Sequence, residues 1–119
     1  MKAVVALGSN LGNCEENLNI AINHLHLILD NLIVSPYTQT KPVGGPKQDD
    51  FINAVAVGQC QLSAVDLLTK LLSIEEQMGR VRDIKWGPRV IDLDLIVYKP
   101  KAPISLKFTD ISVEITRKR

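Results

Sequence analysis

The sequence predicts an α+β domain: an antiparallel sheet carrying two helices on one face, in the order strand, helix, strand, strand, helix, strand. Three observations lead there. Two stretches repeat apolar residues every three or four positions behind a capping residue, two β-rich stretches lie between them, and a further apolar or alternating stretch stands on either side. The 119 residues suit one domain over 1–119. With 45% hydrophobic and 23% charged residues, the chain has the composition of one that folds.

Ala3 to Leu7 form a short apolar run closed by Gly8, which reads as a buried strand feeding a turn. Asn13 stands three residues before Glu16, and Leu18, Ile22, Leu25 and Leu29 then recur at helical spacing. Leu32 to Thr40 is rich in β-branched residues and includes Tyr37, so it reads as one strand, and Pro42, Gly44, Gly45 and Pro46 make the next stretch a long loop. Phe51 to Gln59 alternates, with Phe51, Asn53, Val55 and Val57 on one face. Ser63 with Asp66 marks a second helix start, Leu67, Leu71, Ile74 and Met78 form its core stripe, and Gly79 supplies its stop. In Val90 to Tyr98, Ile91, Leu93, Leu95 and Val97 share one face and Asp92 and Asp94 the other. This βαββαβ order is the split βαβ, ferredoxin-like sandwich, which leaves one sheet face available for ligands.

Charge and motifs exclude several classes of function. Fourteen basic against thirteen acidic residues leave a net charge of +1, so no global field draws the chain to nucleic acid or an anionic membrane. The segment Gly8-Ser9-Asn10-Leu11-Gly12 lacks the spacing and the Lys-Ser/Thr ending of a P-loop, and there is no dinucleotide-binding fingerprint and no RNA-binding aromatic motif. Cys14 and Cys60 have no zinc-type spacing and read as reduced thiols. His24 and His26, two apart on a helix, cannot share a metal. The first apolar run is too short for a signal peptide, and no stretch approaches the roughly 20 apolar residues of a membrane span. A cytoplasmic protein is expected.

The sharpest local feature is Asp92-Leu93-Asp94. A period of two projects both carboxylates from one face while Leu93 turns to the core. At about 5 Å and an effective dielectric of about 20, two such charges repel by roughly 3 kcal/mol, which calls for a positive partner. Magnesium suits hard oxygen ligands of this kind, takes one or two carboxylates and completes its shell with water and phosphates, although a solvated strand face shows the same pattern. Arg80, Arg82 and Arg89 lie close by in sequence and could hold phosphate oxygens bidentately or pair with the aspartates. Trp86, the only tryptophan, sits in a polar loop where its ring could stack on a heteroaromatic ligand or anchor the loop by burial. Phe51 and Asn53 would offer an aromatic surface and an amide to a planar heterocycle, or serve as a core residue and a turn residue.

Taken together, Ala6-Leu7-Gly8-Ser9-Asn10-Leu11-Gly12, the Thr40-to-Gly44 loop, Phe51-x-Asn53-Ala54-Val55, Glu75-x-x-x-Gly79-Arg80-x-Arg82 and Trp86-Gly87-Pro88-Arg89-x-x-Asp92-Leu93-Asp94-Leu95 closely resemble the 6-hydroxymethyl-7,8-dihydropterin pyrophosphokinases over residues 1–98. The resemblance implies transfer of pyrophosphate from ATP to the pterin hydroxymethyl oxygen, with release of AMP, in folate biosynthesis. It implies two magnesium ions on Asp92 and Asp94, charge stabilisation by Arg80 and Arg89, and ATP contacts from Glu75, Arg82 and Arg89. It also implies a pterin site formed by Thr40, Val43, Phe51, Asn53 and Trp86. The ferredoxin-like fold of the family agrees with the element order read above.

Residues 99–119 diverge. Members of that family continue through a Pro-His and an Arg-x-Phe motif; here no histidine occurs after His26, and Arg117 is followed by Lys118 and Arg119. Lys41 stands where that family often has Pro, and Ile111, Val113 and Ile115 alternate as a substitute strand would. Two readings remain: a working pyrophosphokinase, and a pterin- or nucleotide-binding or assembly relative that keeps the fold without turnover. The retained charges favour the first, since buried charges are costly to keep.

Overall fold

The capping and periodicity signals are realised in the computed structural model, which describes residues 1–41, 48–79 and 89–100. Its elements are β1 (Lys2–Ser9), α1 (Cys14–His26), β2 (Asp30–Val34), β3 (Thr38–Thr40), β4 (Phe51–Gln59), α2 (Ala64–Gln77) and β5 (Asp92–Lys99). The Asn13 side chain accepts from the Glu16 amide at 3.1 Å, and Ser63 does the same for Asp66 at 3.1 Å, so each satisfies one of the orphan donors of a first turn. Gly79, at φ +88°, ends α2 in the left-handed region that side chains avoid. Leu18 and Leu25 of α1 and Leu67 and Leu71 of α2 are fully buried. Each contributes about 2 kcal/mol by burial against about 1 kcal/mol for a cap, so packing holds the helices while the caps set where they begin.

All strand pairs are antiparallel, in the order β2-β4-β1-β5, with β3 also on β4. This is an α+β, ferredoxin-like arrangement. Both helices cover the face formed by Ala3, Val5 and Leu7 of β1, Ala54 and Ala56 of β4 and Leu93 of β5. Cys60 is buried in that core, Cys14 opens α1, and both thiols are free. Among the described residues no helix is long and apolar enough to cross a membrane.

Three boundaries differ from expectation. The predicted strand over Leu32–Thr40 is two strands, because Pro36 has no N–H to extend a ladder. At the break Ser35 takes over: its amide donates to the Val55 carbonyl at 2.8 Å and its hydroxyl accepts from the Val55 amide at 2.8 Å. Val97 does not share a face with Leu93 and Leu95. The pairing steps from Val5↔Leu95 to Val4↔Val97, which leaves Ile96 as an extra residue. That bulge reverses the alternation and sends Val97 to the far face with Val4, Val55 and Val57. Finally, Gly8 is not a turn. It lies within β1, with a strand partner on either side.

Candidate active site

The helix-free face gathers chemistry at the C-terminal end of β1. Asp92 pairs with Gly8 and Asp94 with Ala6, so both carboxylates project from that face, while Leu93, opposite Leu7, packs in the core. Asp92 is buried, Asp94 half-buried, and the buried Arg89 brings Nε to 3.7 Å from Asp92 Oδ1. The guanidinium is thus a counter-charge that the sequence had left open between phosphate binding and ion pairing. Among the described residues no group of three or more His, Cys, Asp and Glu side chains could hold a metal. The donor set is two carboxylate side chains on one face, which fits magnesium that completes its shell with water and substrate phosphates.

On the other side of β1, Asn53 of β4 pairs with Gly8 and Phe51 stands two residues earlier on the same face. Asn53 Nδ2 donates to Thr40 Oγ1 at 2.6 Å, and Thr40 is the β3 partner of Phe51. Aromatic ring, amide and hydroxyl therefore meet on neighbouring strands. Asn53, Gly8 and Asp92 form one row across β4, β1 and β5. At about 4.8 Å per strand, amide and carboxylate backbones are separated by about 10 Å, with only the hydrogen of Gly8 between them.

Glu75 lies elsewhere. It is fully buried on α2, and its Oε2 accepts from the Leu93 amide at 2.9 Å, on the side of β5 that faces away from β1. Its carboxylate covers a backbone donor of β5, the last strand of the sheet among the described residues. Val43, Arg80, Arg82 and Trp86 lie outside the described residues.

Two residues of this site carry no role in the sequence reading, Gly8 and Asn10. Both belong to the Ala6–Gly12 segment, which counts toward the family resemblance without assigning either residue a role. Asn10 is buried and bonded to Gln48, Asp49 and Arg89.

The profile of the 7,8-dihydro-6-hydroxymethylpterin-pyrophosphokinase family matches residues 4–117. The chain belongs to this family. It is similar to the 2-amino-4-hydroxy-6-hydroxymethyldihydropteridine pyrophosphokinases of Pseudomonas aeruginosa (38% identical over 99 residues; 82% of this chain, 61% of that protein) and Haemophilus influenzae (40% over 98 residues; 81% and 61%). The Synechocystis protein of the same name is 43% identical over 98 residues, 81% of this chain and 50% of that one. The chain spans about three-fifths of the length of the first two relatives. The family profile extends beyond residue 98 into the tail.

Proposed function

We propose that this pyrophosphokinase-family chain transfers the terminal pyrophosphoryl group of ATP to the hydroxymethyl oxygen of 6-hydroxymethyl-7,8-dihydropterin, releasing AMP, as a step of folate biosynthesis in the cytoplasm. The observation that carries the reading is the row Asn53–Gly8–Asp92, which sets an amide for a heterocycle edge and a carboxylate for a phosphate-bound cation on either side of a bare backbone. Phe51 and Trp86 sandwich the pterin, Asn53 bonds its edge, and Thr40 and Val43 line the pocket. The hydroxymethyl oxygen attacks the β-phosphorus of ATP, the bond from that phosphorus to the AMP oxygen breaks, and the hydroxyl proton is lost. Asp92 and Asp94 are the residues that would hold two magnesium ions, which supply charge neutralisation on the phosphates and a more acidic hydroxyl. Arg80 and Arg89 stabilise charge on the transferred group, and Arg89, Arg82 and Glu75 contribute to the ATP site. Positioning and electrostatics do most of the work in such a transfer.

Incubation of the folded chain with ATP, magnesium and the pterin tests this directly. AMP that appears only with pterin present is the expected result; no AMP above a pterin-free control would replace the reading with a binding protein that lacks turnover. A second measurement probes the row. Gly8→Val places a side chain between Asn53 and Asp92 at a buried position of β1. We expect pterin affinity of the folded variant to fall about tenfold or more, the equivalent of about 1.4 kcal/mol. Unaltered pterin binding by calorimetry would mean that the ligand does not cross β1 there.

A further inference from the structure

The three chain segments that carry the site are far apart in sequence, and one side chain joins them. Asn10 is 3% exposed. Its Oδ1 accepts from the Arg89 amide at 2.7 Å, and its Nδ2 donates to Gln48 Oε1 at 2.6 Å and to the Asp49 carbonyl at 3.0 Å. Its own amide donates to the Arg89 carbonyl at 3.0 Å. A carboxamide has two N–H donors and one carbonyl oxygen, and all are engaged here. No other short side chain can both donate twice and accept in one plane.

The partners matter because of where they lead. Gln48 and Asp49 run straight into β4, which begins with Phe51 and Asn53, while Arg89 runs into β5 and Asp92. β1 separates these two strands, so no β4–β5 ladder sets the path of their leading segments. Asn10 ties both leading segments to the end of β1. We propose that Asn10 is a positioning residue that holds the Phe51–Asn53 side and the Arg89–Asp92 side at their working separation. The inference rests on the pyrophosphokinase reading for its kinetic consequence, but not for its structural one.

The chemistry distinguishes substitutions. Asn10→Ala leaves the Arg89 amide without its acceptor and releases residues 48–49 together. Asn10→Asp keeps an oxygen for the Arg89 amide. Its second oxygen faces the Asp49 carbonyl, which cannot donate, whereas Gln48 can turn its amide to meet it.

The test uses the full chain and two readouts: kcat with KM for each substrate, measured well below each melting temperature, and amide exchange at Arg89 and over 51–53. Asn10→Ala is expected to lower kcat about a hundredfold while each substrate's Kd moves less than about fivefold, and to speed exchange in both segments. Asn10→Asp should keep slow exchange at Arg89, speed it at 51–53, and lose about tenfold in kcat. A folded Asn10→Ala protein with parental kcat and parental exchange overturns the proposal, as does faster exchange in one segment only in that alanine variant. If the alanine variant fails to fold, Asn10→Asp decides: faster exchange at 51–53 with lowered kcat at normal melting temperature supports the role, and parental kcat or parental exchange overturns it. If the parent chain forms no pterin-dependent AMP, the enzymatic reading fails by itself, and the exchange measurements still decide whether Asn10 couples the two segments.

Discussion

Asp94→Asn is expected to lower pterin-dependent AMP formation about a thousandfold, about 4 kcal/mol of transition-state stabilisation, without loss of the fold. The expectation comes from the different settings of the two aspartates. Asp92 is buried with Arg89 beside it, so its removal would take a counter-charge from a buried guanidinium and confuse stability with catalysis. Asp94 is half-buried on the helix-free face opposite Ala6, where an isosteric amide fits. Asparagine keeps one carbonyl ligand but loses the charge. It also relieves the repulsion between the two carboxylates. Titrating magnesium against AMP formation checks the cause: the variant should need much more magnesium. Parental rates at every magnesium concentration would remove Asp94 from the proposed cation site.

Glu75→Ala is the second large effect, and it concerns stability. The Leu93 amide would lose its acceptor while remaining under α2, at a cost of about 1–3 kcal/mol, and the emptied space adds to that. At about 3 kcal/mol in total, and about 4 °C for each kcal/mol in a domain of this size, the melting temperature should drop by about 12 °C. Glu75→Gln retains an oxygen for the same amide and should lose less stability than the alanine variant. A side chain that touched ATP directly would behave differently: glutamine would raise the KM for ATP and leave the melting temperature alone. Thermal melts and ATP kinetics on the two variants separate these cases.

Much of the site was legible because its residues obey local rules. Asp92 and Asp94 share a face through the two-residue period of a strand, as do Phe51 and Asn53, and Asn13 and Ser63 cap their helices through bonds three residues long. The misread boundaries are those where a local signal had two meanings. Gly8 after an apolar run looks like a turn, but its partners Asn53 and Asp92 keep it in the sheet. Val97 alternates correctly with Leu95 in sequence, yet the extra residue Ile96 reverses its face, and only pairing with β1 reveals that residue. Pro36 carries a break signal within Leu32–Thr40 that competes with the β-branched residues around it.

By itself, then, the sequence determined the order of strands and helices apart from the break at Pro36, the two caps and the shared face of the carboxylates, each of which depends on neighbours within a few positions, and the family resemblance carried by motif order along the chain. The tertiary structure alone decided that Gly8 bridges Asn53 and Asp92, that Asn10 binds segments 38 to 79 residues away, and that Glu75 turns onto the β5 backbone. Register between strands, and the partner chosen by a buried polar group, depend on which distant segments the core brings into contact. Periodicity specifies the face a residue occupies, and packing specifies what it meets there.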